Sequence, residues 1–210
     1  MHIVLIGDSI FDNARYTRGG PAVISQVRQL LPLGWRASLL AVDGDVSEDI
    51  PAQLERMPLD ASHLVLSVGG NDALSQLEIL DRPAISTSAA LAALADISQA
   101  FEGKYRRAVT ACLGKHLPLT LCTIYNGCFP DGNYQRLAST ALMVFNDVIL
   151  RVGIESGLGI IDLRFVCSSP ADYANPIEPS SIGGSKIARA IVNQVSSDGT
   201  HKGGAKIVIA

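Results

Sequence analysis

The feature that most constrains this chain is the alternation of short β-branched runs with longer segments of helical periodicity. The runs predict five strands, at residues 2–6, 37–42, 63–68, 117–124 and 159–163. Helical patterns follow at residues 22–31, 46–56, 88 to about 116, 134–156 and 182–195. Alternating strands and helices predict an α/β fold, in which a parallel five-stranded sheet carries helices on both faces.

Two positions in the helical patterns, and the end of the chain, carry further expectations. Asp45 is the expected N-cap of the second helix, and Gly103 is a candidate break in the third. The 210 residues fit a single domain spanning the whole chain, 1–210. Residues from about 197 to 210 are rich in glycine and serine before a short apolar end. They are either a flexible tail or an added edge strand.

The charge and the apolar pattern argue against several classes of function. The formal net charge is −3, which offers no basic surface to nucleic acid. No apolar run in the sequence reaches the roughly 18 residues of a membrane span. The N-terminus lacks the basic start and the cleavage site of a signal peptide. We expect a cytoplasmic protein with a small-molecule partner, and the sequence carries no signal for an oligomeric state.

Two groups of residues resemble metal sites but do not fit one. The cysteines are Cys112, Cys122, Cys128 and Cys167. They form no CxxC pair, so we expect free and mostly buried thiols rather than a zinc site. The acidic stretch AVDGDVSED lacks the loop glycine and the closing glutamate of a calcium-binding EF-hand. The sequence therefore predicts no metal site.

Five loops are predicted to meet at one edge of the sheet. Parallel strands all end on the same edge, and ligands of such folds bind outside it. The loops comprise residues 7–12, 43–45, 69–72, 125–128 and 164–181. The last loop is long for a strand-to-helix connection, and long loops in compact domains are often functional. It contains Asp172, Asn175 and Glu178.

Three of these loops carry groups suited to acyl-transfer chemistry. Ser9 follows the first strand, where backbone N–H groups of a turn can stabilise an oxyanion. Alternatively, Ser9 caps a helix or a turn. Asn71, in the GGND sequence after the third strand, either aims its amide at a developing negative charge or only shapes the turn. Gly44, after the second strand, can donate its backbone N–H to the same pocket.

The GDS sequence ending at Ser9, Gly44 and the GGND sequence resemble, in order and spacing, the motifs of the SGNH or GDSL-type hydrolases. The resemblance implies a flavodoxin-like, three-layer α/β/α sandwich that hydrolyses esters, or acyl groups on sugars and lipids. Ser9 would be the nucleophile, and Asp8 would support the site. The backbone N–H groups of Ser9 and Gly44 and the Asn71 side chain would form the oxyanion hole. The resemblance implies no metal and no organic cofactor.

The chain departs from this family where the catalytic histidine is expected. The family's last block is an aspartate, two residues and a histidine, whereas this chain reads NPIE. Asn175 stands at the place of the aspartate and Glu178 at the place of the histidine. The chain's own histidines are His2, His63, His116 and His201. The first three precede predicted strands, at the opposite edge of the sheet, and the last lies in the tail.

Glu178 is therefore the predicted general base toward Ser9, with Asn175 supporting it through an amide hydrogen bond. A carboxylate has no tautomer to be fixed, unlike a catalytic histidine. It does need an apolar site to raise its pKa to a useful value. In the alternative interpretation, residues 175–179 form a rigid turn between two prolines, and Glu178 only caps the next helix.

Three functions remain open at this point. The leading hypothesis is a serine ester hydrolase that acts through an acyl-enzyme on a small-molecule ester or acylated substrate. The alternatives are a non-catalytic ligand-binding protein and an acyltransferase of the same fold. The intact set of Ser9, Gly44 and Asn71 favours an enzyme, and the missing histidine favours a binding protein. A hydrolase and a transferase share the same acyl-enzyme, so the sequence does not separate them.

Overall fold

The computed structural model describes residues 1–197 and 206–208. Its strands are β1 (His2–Gly7), β2 (Arg36–Leu39), β3 (His63–Ser67), β4 (Leu119–Cys122), β5 (Gly159–Ile161) and β6 (Lys206–Val208). All of them pair in parallel, in the order β2-β1-β3-β4-β5-β6. The predicted α/β class with a parallel sheet is confirmed.

The five predicted strands are all present, and β6 adds a sixth at the edge of the sheet. β6 pairs with β5 from Lys206 to Val208. This agrees with the edge-strand alternative for the end of the chain. The flexible-tail alternative concerns residues 198–205 and 209–210, which lie outside the described residues.

In the described part of the chain, helices join the strands and cover both faces of the sheet. They are α1 (Val23–Leu30), α2 (Ile50–Glu55), α3 (Gly70–Leu74), α4 (Thr87–Leu113), α5 (Gly132–Glu155), α6 (Leu163–Val166) and α7 (Ser181–Ser197). The predicted helices are confirmed within a few residues, except that the segment 46–56 divides into a 3₁₀ turn, Ser47–Asp49, followed by α2.

Two local expectations are wrong. The break expected at Gly103 does not occur, because α4 continues through it. Asp45 does not cap the second helix, because its carboxylate accepts a hydrogen bond from Gln53 Nε2 at 2.7 Å. The segment instead begins at Val46, whose backbone N–H donates to the Asp49 carboxylate at 2.9 Å.

Two apolar cores lie on the two faces of the sheet, because successive strand residues point to opposite faces. On one face, Ile3 and Leu5 of β1 pack into the core that α1 and α7 complete. On the other face, Val4 and Ile6 pack into the core formed with α4 and α5. A strand buried on both faces reads as a continuous apolar run. This is why β1 could be recognised in the sequence.

Helix α5 is long and apolar enough, by length and composition alone, to cross a membrane. An 18-residue window in it reaches a mean hydropathy of 1.5, and 33% of that window is buried. The core helix of a soluble protein passes the same test, so one such helix is weak evidence of a membrane span. In the C-terminal half of α5, Phe145, Val148, Ile149 and Val152 are buried in the core. These contacts make α5 a packing element of the sheet.

Candidate active site

Ser9 lies in a tight turn directly after β1. Gly7 has φ +136°, and a Cβ at this position would collide with the backbone carbonyl of Ser67 at the end of β3. The backbone N–H of Asp8 donates to that carbonyl at 3.1 Å. The Asp8 carbonyl in turn accepts from the N–H groups of Phe11 and Asp12, both at 3.2 Å. The close approach of the two strand ends therefore fixes Ser9 at the edge of the sheet, with 8% of its surface exposed.

The Glu178 side chain meets Ser9 at this edge. The Ser9 hydroxyl lies close enough to the Glu178 carboxylate to lower the pKa of Glu178, and both side chains line one cleft. Glu178 is only 5% exposed, and its Oε2 has no hydrogen-bond partner in the described residues. Burial is the main influence and raises the pKa of Glu178 to about 7, although the Ser9 hydroxyl lowers it and the charge of Asp43 raises it further. The structure thus brings together a serine and a carboxylate that titrates near neutral pH.

Hydrogen bonds to its backbone hold the turn that carries Glu178. The Asn175 Oδ1 accepts from the N–H groups of Ile177 and Glu178, each at 2.9 Å. The Ala174 N–H donates to the Glu178 carbonyl at 2.8 Å, and the Tyr125 hydroxyl donates to the Ile177 carbonyl at 2.6 Å. The expected amide hydrogen bond from Asn175 to the Glu178 carboxylate is wrong. The Asn175 side chain is exposed and binds the backbone of the turn through its oxygen.

Asn71 faces the same cleft as Ser9 and Glu178. Its Nδ2 donates to the carbonyl of Asp45 at 2.9 Å. An amide nitrogen carries two hydrogens, so this contact leaves one of them for a ligand. The contact also joins the loop after β3 to the loop that contains Gly44.

Gly44 lies in that neighbouring loop and is exposed. Its φ of +95° places it in a conformation that L side chains rarely adopt, and a Cβ there would meet open space. Strain rather than crowding therefore selects glycine at this position. Gly44 does not line the cleft. Within the described residues, its backbone N–H and that of Ser9 have no hydrogen-bond partner.

Asp8, the residue before Ser9, is a second buried carboxyl group of the cleft. It is 1% exposed, its Oδ1 accepts from the Ile10 N–H at 3.1 Å, and its Oδ2 lies beside Gly70, whose backbone N–H lowers the pKa of Asp8. Burial raises the pKa of Asp8 to about 7; the hydrogen bond from Ile10 opposes this rise, and the charges of Glu178 and Asp72 add to it.

Several buried polar residues that position these loops were not predicted from the sequence. Gln53 accepts from the Gly7 N–H at 2.8 Å and donates to the Gly7 carbonyl at 2.7 Å. The Asp72 carboxylate accepts from the N–H and the hydroxyl of Ser47, both at 2.9 Å. Asn13 is fully buried and donates to the Pro179 carbonyl at 3.2 Å. Each contact joins residues that are far apart in the sequence, and no local sequence pattern predicts it.

The histidines of the described residues lie away from Ser9, as expected. His2 and His63 begin β1 and β3, and His116 lies between α4 and β4. The ring of His2 contacts Asp60 at 3.0 Å and Ser38 at 2.8 Å. His201 lies outside the described residues. In the described residues, the titratable side chains that line the cleft with Ser9 thus include the carboxyl groups of Glu178 and Asp8 and no histidine.

No group of three or more histidine, cysteine, aspartate or glutamate side chains in the described residues could hold a metal ion. The four cysteines carry free thiols, and three of them are buried while Cys128 is half-buried. The expectation of free and mostly buried thiols is confirmed. Burial raises the pKa of Cys122 and Cys167 above the ordinary range of a thiol. Both thiols lie in the apolar core.

A sequence model of the GDSL-like lipase/acylhydrolase family matches residues 5–181 of this chain. The matched range contains both Ser9 and Glu178. Among curated proteins, no sequence matches the chain at a significant level.

Solved structures of esterases and lipases share the fold. An extracellular lipase from Streptomyces rimosus is 17% identical with a TM-score of 0.66, over 94% of this chain and 99% of that one. A variant of an acetyl xylan esterase from Geobacillus stearothermophilus is 21% identical with a TM-score of 0.65, over 92% and 94%. A phospholipase A1 from Streptomyces albidoflavus is 13% identical with a TM-score of 0.65, over 93% and 98%. At such identities, the likeness shows the fold.

Proposed function

This chain belongs to the GDSL-like lipase/acylhydrolase family, a family of ester hydrolases, and we propose that it uses Ser9 as nucleophile and Glu178 as general base. The observation that carries this proposal is the position of Ser9 beside a carboxylate that is only 5% exposed, in one cleft, where burial raises the pKa of Glu178 to about 7. A base must lie within hydrogen-bond reach of the proton it removes, and its pKa should lie near the working pH. Glu178 meets both conditions.

The proposed reaction has two halves. Glu178 takes the proton of the Ser9 hydroxyl as Ser9 Oγ attacks the ester carbonyl. The negative charge on the carbonyl oxygen is stabilised by the backbone N–H of Ser9 and the free amide hydrogen of Asn71, which both line the cleft. Gly44 lies outside the cleft lining and shapes the neighbouring loop. Glu178 then returns its proton to the leaving alcohol, which gives an acyl-enzyme on Ser9. In the second half, Glu178 takes a proton from water as the water oxygen attacks the acyl carbonyl. Glu178 then gives this proton to Ser9 Oγ as the bond from Oγ to the acyl carbon breaks, which releases the acid and restores both side chains.

The pH profile of the Glu178→Gln variant tests this proposal. Glutamine keeps the shape of the side chain and removes the proton acceptor, so kcat/KM on a small aryl ester should fall about 10²–10⁴-fold. Only ionised Glu178 can act as a base. Wild-type activity should therefore rise with pH through an acidic limb centred near pH 7. This limb should be absent from the variant.

An exposed glutamate outside the cleft provides the control. Glu55→Gln changes an exposed residue at the end of α2 and should keep the wild-type profile. If Glu178→Gln also kept the acidic limb and the plateau, Glu178 would not be the base, and the rigid-turn interpretation of residues 175–179 would stand.

Covalent labelling separates the enzyme from a non-catalytic binding protein. A fluorophosphonate probe should label the wild type once, and the Ser9→Ala variant not at all. Absence of labelling of the folded wild type across the neutral and alkaline range would favour a binding protein. Adding an alcohol acceptor to the ester assay distinguishes the acyltransferase, because a hydrolase releases mainly the free acid.

A further inference from the structure

The cleft that begins at Ser9 continues between three elements that stand beside the sheet. These are the 3₁₀ turn Leu77–Leu80, α4 and α5. Among the side chains that line its walls are Leu74, Leu80, Leu94, Ile97, Leu142 and Phe145. The part of the cleft beyond the proposed catalytic groups is therefore bounded mainly by aliphatic and aromatic carbon, with the amides of Gln76 and Asn126 as its further polar side chains.

The charged groups of the cleft lie at one place. Asp8 and Glu178 are both beside Ser9, and no lysine or arginine is among the described residues that line the cleft. The nearby Arg15 is paired with Asp43 at 2.6 Å. A phosphate or carboxylate on the substrate would therefore find no partner in the cleft, and it would lose its hydration on entering.

A sugar ring is disfavoured on the same physical grounds. A hydroxyl group that enters an apolar site without a hydrogen-bond partner loses free energy relative to water. In contrast, each methylene group that is transferred from water to such a wall gains binding free energy. Two amide side chains, Gln76 and Asn126, cannot partner every hydroxyl group of a sugar ring, so the walls favour hydrocarbon over acetylated carbohydrate.

We propose that the substrate of this site is an uncharged ester with an apolar chain, and that this chain lies in the cleft between the 3₁₀ turn, α4 and α5. This inference rests on the proposed function, since it takes Ser9 as the point of attack. The chain belongs either to the acyl group or to the alcohol. In both cases the same hydrocarbon chain packs against the same wall of the cleft. The experiment below distinguishes an acyl chain from an alcohol chain.

Chain-length series of two kinds test the inference. In the first series, the acyl group of a p-nitrophenyl ester lengthens from acetate; in the second, the alcohol of an alkyl acetate lengthens. A buried methylene corresponds to about a three- to fourfold gain. In one of the two series, kcat/KM should therefore rise about three- to fourfold per methylene until the cleft is full. A flat or falling response in both series would overturn the inference.

Variants of the wall add an independent test. Ala141→Phe places a ring inside the cleft, on α5, and should lower kcat/KM more for long esters than for acetates. Its matched control is Ala95→Phe, which places the same ring on the exposed side of α4 and should leave the series unchanged. Leu94→Ala removes wall surface without overpacking, and should reduce the gain per methylene even if Ala141→Phe does not fold. Equal losses on short and long esters in both wall variants would reject the cleft as the site of the chain.

The outcomes separate this inference from the proposed function. If the wild type is labelled at Ser9 and prefers acetates, the inference fails and the proposed function stands. If Ser9→Ala keeps full activity on every ester, the proposed function itself fails.

Discussion

A carboxylate can replace an imidazole as the base toward a serine only if its pKa lies close to the working pH. Glutamate in water titrates about two pH units below histidine. Burial beside Ser9 closes this gap, because it raises the pKa of Glu178 to about 7. The glutamate also needs no partner to choose its tautomer. The side chain of Asn175 is therefore free to hydrogen-bond to the backbone of the turn instead of to the Glu178 carboxylate.

A prediction at the level of single residues concerns Asn71. If its free amide hydrogen stabilises the oxyanion, Asn71→Ala should lower kcat by about 10²–10³-fold on a small ester and leave KM nearly unchanged. The substitution also removes the 2.9 Å contact with the Asp45 carbonyl, which should lower the free energy of unfolding by about 1 kcal/mol.

Comparing catalysis with stability distinguishes the two roles of Asn71. Asn193→Ala, at an exposed position on α7, is the control and should change neither quantity. A loss of stability with full retention of kcat would identify Asn71 as a turn residue only.

The juxtaposition of Ser9 and Glu178 could be predicted because parallel strands end at one edge. Ser9 follows β1 directly, and the loop with Glu178 follows β5, so the topology alone brings the two loops to the same side of the sheet. The hydrogen bonds of Gln53 with Gly7 and of Asn13 with Pro179 could not be predicted. A buried polar residue takes its partner from the three-dimensional packing, and its sequence neighbourhood does not specify that partner.

At the level of secondary-structure elements, the turn 175–179 carries the next prediction. Asn175 holds the N–H groups of Ile177 and Glu178 through one oxygen atom. Asn175→Ala removes both contacts and lets the Glu178 side chain move away from Ser9. Because small misplacements of a catalytic group are costly, kcat should fall by about 10- to 100-fold with little change in KM.

Asn175→Asp is the informative partner of that variant. The aspartate keeps an oxygen at the same place, and its added charge is exposed, so solvent screens it. The Asn175→Asp variant should therefore have most of the wild-type kcat. If the amide hydrogens of Asn175 were needed instead, Asn175→Asp would lower kcat as much as Asn175→Ala does. Steady-state kinetics of the three proteins on one ester decide between these outcomes.

The elements that sequence patterns predicted best are the ones that packing dictates. Strands buried on both faces and long amphipathic helices each leave a repeated apolar signal. Helices α3 and α6, of five and four residues, are too short for a repeat to develop. Gly103 was expected to break α4 because glycine lowers helix propensity by about 1 kcal/mol. The buried contacts of Phe101, Tyr105 and Ala108 on the same helix outweigh that cost.

At the level of the whole molecule, two carboxyl groups buried in one cleft link stability to pH. Burial raises the pKa values of Asp8 and Glu178 to about 7, from ordinary values of 3.8 and 4.5. Between about pH 4 and pH 7, the folded protein thus retains protons that the unfolded chain has released. The free energy of unfolding must fall as pH rises through this range, since the folded state binds more protons there. The cleft destabilises the fold most above pH 7, where both groups are ionised.

Asp8→Asn should therefore make the protein more stable at alkaline pH and leave it nearly unchanged near pH 4. Asparagine keeps an oxygen for the Ile10 N–H and has no charge to bury. The gain above pH 7 is at most about 4 kcal/mol, from 1.36 kcal/mol per pKa unit, which corresponds to at most about 8–16 °C in Tm for a chain of this size. Thermal unfolding of both proteins from about pH 4 to pH 8 measures the difference, in which the contributions of His2 and other groups cancel.

Asp96→Asn, at an exposed position on α4, is the control and should give no such pH-dependent gain. A difference between Asp8→Asn and wild type that stayed constant with pH would show that Asp8 is ionised throughout. In that case, Glu178 would also titrate beside a permanent negative charge, and the acidic limb of activity should move to lower pH in Asp8→Asn.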